Sequence, residues 1–569
     1  MPCPTARPSD GGPLPIRILS AASAAALLLV AGCTPSSEAK DAPKDDPPAH
    51  VVTAAPKERL TLVGDADPVA AAIGASRALF DSAGVVVLVE DGDAAATLLG
   101  AATAVGLGVP LLVEPADAKS LAGPVTDEMQ RLKVDTVLAV GSAADGAGKQ
   151  DGGPDVVGAP AEADALDQVT GVRFAAEEQV AEGDEASAVA GLDAGTPAAL
   201  RPEGAKAPAS AAKGDLGSLP EVERSGPRAD TLVLSTGGAE SVAGIASALA
   251  AGARVQLTDS PDPRASADVV GALAQGAPKF VVALGADLAA EDGFDWKLAT
   301  ADKGTELPGG GQLLFPGRML VALYGHPGSG ALGVLGEQGI DASIQRARDH
   351  AKPYESLVGT PVVPAFEIIA TVASSKAGPD GNYSAEAEVD DLRPWVEAAG
   401  KAGVYVVLDL QPGRTDFLTQ AQRYQSLLEM PHVGLALDPE WRLGPTQVHL
   451  NQVGSVGIDE VNRVVTWLAD LTRAKALPQK LLVLHQFKLA MLKDRERLDT
   501  SRDELAVMVH ADGQGSQGDK QATWRALHQN PPAGIWWGWK NFYDEDAPML
   551  TPEQTVAEVS PLPSLISYQ

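Results

Sequence analysis

Two stretches decide the reading of the C-terminal half: Val404-Tyr-Val-Val-Leu-Asp409-Leu-Gln411 and Val433-Gly-Leu-Ala-Leu437-Asp438-Pro-Glu440-Trp441. Each is a short apolar run that stops abruptly on acids. Runs of this length without polar alternation read as strands buried on both faces. Glu386–Ala402 ahead of the first, and Asp459–Leu477 after the second, carry helical patterning. Strand and helix therefore alternate, which is the mark of a parallel sheet.

Working outward, the same alternation fills residues 312–569. The strands read as Met319–Tyr324, Val362–Thr371, Val404–Leu410, Val433–Leu437, Leu481–Gln486, Ala506–His510, Gly534–Trp537 and Leu565–Tyr568. Leu335–His350 and Lys520–Gln529 are further helical stretches between them. Eight strands separated by helices over this span predict a closed (β/α)8, TIM-like barrel, with a doubly wound sheet as the alternative.

In such a barrel, chemistry gathers where strands end at the C-terminal face. The first strand ends in Tyr324-Gly-His326 and the second contains Glu367. The third ends in Asp409-Leu-Gln411 and the fourth in Asp438-Pro-Glu440-Trp441. The fifth ends in His485-Gln486, the sixth in His510-Ala-Asp512-Gly513, and the seventh in Trp536-Trp537-Gly-Trp539-Lys540. Acids, imidazoles and aromatics on one rim predict a groove. Single members have plainer readings: Glu367 falls mid-run and could point into the barrel interior, Tyr324 could cover the core, and the Trp cluster could be packing.

This layout resembles glycoside-hydrolase barrels. The resemblance implies paired carboxylates that protonate the leaving oxygen and activate water or attack the sugar. Glu440 stands where many such barrels carry the general acid, with Asp438, Asp409 and Asp512 as candidate partners. His326, Gln411, His485, Gln486 and His510 would bind hydroxyls, and Trp536, Trp537 and Trp539 would stack on sugar rings. The seventh strand lacks the nucleophile usual at that position. Two other functions stay open: a carbohydrate-binding protein without turnover, and a metal-dependent hydrolase. In the latter, His326, Asp409, His485, His510 and Asp512 could supply nitrogen and oxygen ligands. No paired-histidine motif fixes such a metal, so none is assigned. No phosphate loop or nucleophile elbow is found either, so no cofactor is expected.

The front half reads as α/β of another kind. Val85-Val-Val-Leu-Val89 is a buried strand, Asp91-Gly-Asp93 caps a helix, Val109-Pro-Leu-Leu-Val113 is a strand, and Thr136-Val-Leu-Ala-Val140 follows a second helix. The pattern recurs in Asp230-Thr-Leu-Val-Leu-Ser-Thr-Gly-Gly238, Arg254-Val-Gln-Leu-Thr258 and Phe280-Val-Val-Ala-Leu-Gly285. Repetition of this kind fixes architecture early. The two copies, at 59–142 and 229–300, resemble the cell wall-binding repeat 2 family. That resemblance implies parallel βαβ modules and a partner in cell-wall polysaccharide or peptidoglycan. A plain α/β stalk is the other reading. Family members usually carry three copies. Between the two found here, residues 143–228 hold 16 acidic and 7 basic residues and one aromatic, Phe174. So little apolar surface predicts a mobile acidic insert, with a degenerate third copy less favoured.

At the N-terminus, Arg7 and Arg17 precede the apolar run Ile18–Val30, too short to span a bilayer. Leu29-Val-Ala-Gly-Cys33 then resembles the lipobox of bacterial lipoproteins. The resemblance implies that residues 1–32 are removed, that Cys33 carries the lipid, and that 33–58 tether the fold to the outer face of the cell membrane. Two acyl chains anchor where one holds marginally. Cys3 would leave with the signal segment, so no intrachain disulfide remains. The formal charge of −31 excludes nucleic acid as a partner. The Ala, Gly, Asp and Val bias is that of a GC-rich genome, such as an actinobacterial one.

Overall fold

The computed structural model describes residues 48–116, 123–146, 153–205, 217–224 and 226–569. The signal segment, Cys33 and most of the tether lie outside the described residues. Among the described residues no helix is long and apolar enough to cross a membrane.

Two four-stranded parallel sheets of one design make up the front region. In the first, the strand order is Leu111–Glu114, Val85–Glu90, Thr136–Val140, Asp155–Ala159. In the second it is Arg254–Leu257, Thr231–Ser235, Phe280–Leu284, Leu60–Val63. Each repeat places its first strand centrally, flanked by its two successors. A fourth strand is then added in parallel at the edge from elsewhere in the chain. Leu60–Val63, which sequence places in the first module, therefore completes the second sheet. Ala49–Thr53, read as tether, is instead a strand paired with Phe80–Ala83 and Val222–Arg224.

The expectation of a mobile insert is corrected over 153–205. Asp155–Ala159 joins the first sheet, and Glu177–Val180 pairs in parallel with Ala199–Pro202 across the helix Glu185–Ala190. That is a third, shortened strand-helix-strand unit. Leu166, Val169, Val180, Val189 and Leu200 are buried in the same core as the two sheets. Few apolar residues suffice here because the segment borrows a core built by its neighbours.

Small residues let the central helices approach. Ala94–Leu107 is capped by Asp93, whose carboxylate accepts from Ala96 N at 3.0 Å. It packs on Val242–Ala250, where Ser247 Oγ accepts from Leu111 N at 3.0 Å and so ties one module to the other. The front region meets the barrel at Trp296. The guanidiniums of Arg264 and Arg473 lie 4.4 and 4.8 Å from its ring centre, and neighbouring Lys297 pairs with Asp503 at 2.5 Å.

Eight parallel strands then close a barrel: β1 (Met319–Gly325), β2 (Val362–Ala373), β3 (Tyr405–Leu410), β4 (Val433–Leu437), β5 (Lys480–Gln486), β6 (Leu505–Ala511), β7 (Trp536–Asn541) and β8 (Leu565–Tyr568). Each pairs with the next, and β8 returns to β1. A short strand, Ser384–Glu386, pairs antiparallel with the extended end of β2. Only the seventh strand departs from the sequence reading by more than about two residues, running through Lys540 and Asn541. Inward positions follow the two-residue period. Leu320, Ala322, Val363, Ala365, Tyr405, Val407, Ala436, Leu481, Val483, Ala506, Met508 and Leu565 fill the lower interior as an apolar core. Gly538 is required in this layer, because a Cβ there would meet the His510 ring at 2.5 Å.

Candidate active site

One step above that apolar layer, every strand presents one polar inward residue: Tyr324, Glu367, Asp409, Asp438 just past β4, His485, His510, Lys540 and Ser567. All eight are buried. Closing the sheet makes their side chains converge on the barrel axis, which an open sheet could not do.

His485 is the hub. Its Nε2–H donates to Glu367 Oε1 at 2.7 Å and its Nδ1–H to Asp512 Oδ2 at 3.1 Å. Burial opposes its charge, but Glu367 and Asp512 outweigh burial and raise its pKa well above the ordinary imidazole value. Burial likewise opposes ionisation of Glu367, and His485 reverses that, holding this carboxyl below its usual range. Asp512, against the same burial, is held low by its bond to His485. The ring of His510 lies 5.0 Å from that of His485. Burial, with His485 and Lys540 adding to it and Glu367 opposing, pushes His510 down to about 4. Its Nε2 meets Ser567 Oγ at 3.2 Å.

The other acids are pushed the opposite way. Asp409 rises to about 6 through burial and the charge of Glu367, against His485. Its Oδ2 accepts from Tyr324 OH at 2.9 Å. Asp438 is buried and raised well above the carboxylate range, with Asp409, Asp512 and Glu440 adding to the effect of burial. Its Oδ1 caps the turn Pro439–Trp441 by accepting from Glu440 N at 3.1 Å. Half-buried Glu440 is raised to about 7 by burial and then by Asp512. Lys540 Nζ lies 3.4 Å from the Tyr324 ring centre. The mouth thus combines carboxyls pushed up, at Asp409, Asp438 and Glu440, with carboxyls held down, at Glu367 and Asp512.

A cavity of about 300 Å³ opens at Glu440, lined by Trp441, His449, Asn451 and Gln452. The Trp441 ring lies 5.4 Å from that of His449. His449 Nε2–H donates to the Tyr383 carbonyl at 2.7 Å, which leaves Nδ1 as an acceptor in the neutral ring.

The structure brings together Glu440, Asp438, Asp409, Asp512, His485 and His510 from the sequence reading. His326 and Gln411 sit at the edge of the mouth. His326 Nδ1 donates to Ile369 O at 2.8 Å, and Gln411 Nε2 reaches Tyr324 OH at 3.4 Å. Four other residues fall away from it. Gln486 alternates outward and accepts from Arg495 at 2.9 Å. Trp536, the first residue of β7, packs on Phe315 at the opposite end of the barrel. Trp537 points outward and stacks on His528 at 3.6 Å. Trp539 is buried beside Trp524, with Lys520 Nζ 4.8 Å from its ring centre. None of these three rings faces the mouth, so their placement as sugar platforms is corrected. Sequence reasoning gave Glu367, Tyr324, Lys540 and Ser567 no role in the site, although it allowed that Glu367 could point into the barrel interior and placed Tyr324 at a strand end. The two-residue period, counted from Ala365 to Glu367 or from Gly538 to Lys540, was the signal that could have found them.

Fold and site together define a (β/α)8 barrel with an ionisable mouth, joined to parallel-sheet modules. No family model matches the chain, and no curated protein sequence matches it. Two solved structures of Clostridium difficile cell wall proteins show a distant likeness. Cwp6 is 12% identical with a TM-score of 0.28, covering 58% of this chain and 67% of its own. Cwp8 is 16% identical with a TM-score of 0.30, covering 44% of this chain and 52% of its own. At such values the likeness fixes neither site nor activity.

Proposed function

We propose that this protein is a glycan hydrolase of the cell surface, anchored by lipid on Cys33 and working at the cell wall, with Glu440 as its general acid. The lipobox-like sequence and the repeat modules support the location. The observation that carries the activity is a rim carboxyl raised to about 7, by burial and then by the charge of Asp512, at a cavity that has an aromatic wall. A general acid works best with a pKa near the operating pH. Glu440 delivers its proton to the leaving glycosidic oxygen. Asp512, kept ionised by His485, activates water or attacks the sugar carbon. Asp438 fixes the Glu440 backbone, and Asp409 sits below with Tyr324. Trp441, one residue from the acid, takes the stacking role, and His326 and Gln411 meet hydroxyls at the rim.

The test incubates the full chain with purified cell wall and a panel of soluble glycans, and measures released reducing ends. Release by the wild type, lost in Glu440→Gln and Asp512→Asn while glycan binding persists, supports the assignment. Binding by the wild type with no release from any substrate overturns hydrolysis and leaves a carbohydrate-binding protein.

A further inference from the structure

Beneath Glu440 the mouth contains atoms that its own hydrogen bonds leave unused. Glu367 Oε2, Asp409 Oδ1 and His510 Nδ1 are buried and have no hydrogen-bond partner. Buried polar atoms normally find one, so three together call for a reason. Two of them face each other, His510 Nδ1 lying 4.0 Å from Glu367 Oε2, and Asp409 Oδ1 lies 3.8 Å from His485 Nε2. Ligand atoms of Glu367, His485 and His510 fall within 4.8 Å of one another.

The far side of each group is tied down. His485 Nδ1 is held by Asp512, His510 Nε2 by Ser567, and Asp409 Oδ2 by Tyr324. Metal-binding histidines are oriented in this way, with one ring nitrogen on an outer partner and the other left for the ion.

We propose that Glu367, His485 and His510 bind a divalent transition-metal ion at the base of the barrel mouth, with Asp409 Oδ1 as a fourth ligand. Two imidazole nitrogens and two carboxylate oxygens suit Zn²⁺ in four-coordinate geometry. The ion takes the place of the His485 Nε2 proton, which leaves as one H⁺ per ion bound. Glu367 replaces His326 and Asp512 of the ligand set drawn from sequence: the first is engaged by Ile369 O, and the second orients His485.

The test needs no glycan, so its outcome is independent of hydrolysis. The full chain is stripped with chelator, checked for fold by circular dichroism, and titrated calorimetrically with Zn²⁺ and separately with Mn²⁺. Bound metal is then measured after gel filtration. One ion per chain is expected, with a higher melting temperature. Glu367→Gln, which keeps the shape of the side chain, and His510→Gln should each weaken binding at least about ten-fold while staying folded. Asp512→Asn should weaken it less than Glu367→Gln does. A folded wild type that takes up neither ion overturns the site, as does uptake unchanged by both ligand substitutions.

Discussion

The front sheets and the barrel are made of the same unit, a buried parallel strand followed by a helix, yet only the barrel concentrates charge. In the open sheets the strand ends spread along a line, and few charged side chains can meet. Thr136–Val140 runs into Gly141 and Phe280–Leu284 into Gly285, with no acid at the tip. In the barrel the eight ends form a ring, and each inward side chain has neighbours on both sides and across. Closure, more than composition, makes a converging polar mouth from ordinary strands. Among the described residues of the front region, Glu90 and Glu114 make a reduced counterpart, paired across adjacent strand ends.

Removing the hub tests that contrast most severely. His485→Ala leaves Glu367 and Asp512 as buried charges without their shared cation, a loss on the order of 3–5 kcal/mol. Calorimetry should show the barrel transition falling by about 10 °C while the front sheets keep theirs. An unchanged barrel would mean that the ring is not held together by this imidazole.

The rim acid should matter to chemistry and hardly to stability. Glu440→Gln should lower sugar release by about a hundred-fold or more with little change in melting temperature. As the proposed acid, Glu440 would have to be protonated to act, and its carboxyl is raised to about 7. Release should therefore fall as pH climbs above about 7, toward ten-fold per unit in the limit. A rate that is flat from pH 6 to pH 9 would remove Glu440 from the acid role.

The junction between the two regions ranks next. Trp296→Ala removes the ring that Arg264 and Arg473 share, at a cost on the order of 1–3 kcal/mol. It should move the front and barrel transitions further apart in a thermal scan than they are in the wild type. An unchanged spacing would show that Lys297 and Asp503 hold the junction without it.

The barrel was legible in sequence because each strand is an unbroken apolar run with a helix after it. Parity was the harder part. Tyr324, Asp409 and His485 fall at strand ends, where reading by termini finds them. Glu367 lies well inside β2, which continues to Ala373, so a reading by termini discounts it. The run Trp536-Trp537-Gly-Trp539 was mistaken for a sugar platform because aromatic content was read without asking which face each ring takes. In the front region, the third unit was hidden because its apolar residues, such as Val189 and Leu200, are too sparse to signal a core. They need only complete one that already exists.

The smallest expected effect returns to the pair in the open sheet. Glu114 is buried at a strand end, and burial together with Glu90 raises its carboxyl to about 7. In the unfolded chain it titrates near its ordinary value of 4.5. Between these values the folded state holds more protons than the unfolded one, so stability declines as pH rises through that window and stays lower above it. Glu114→Gln keeps the shape and removes the titration. At pH 8 the variant's front transition should lie a few degrees above the wild type's, whereas at pH 4, where both side chains are neutral, the two should coincide. Equal melting at both pH values would mean that water reaches this strand end. The open sheet would then differ from the barrel in hydration as well as in convergence, and the buried charges of the mouth would be the more unusual for it.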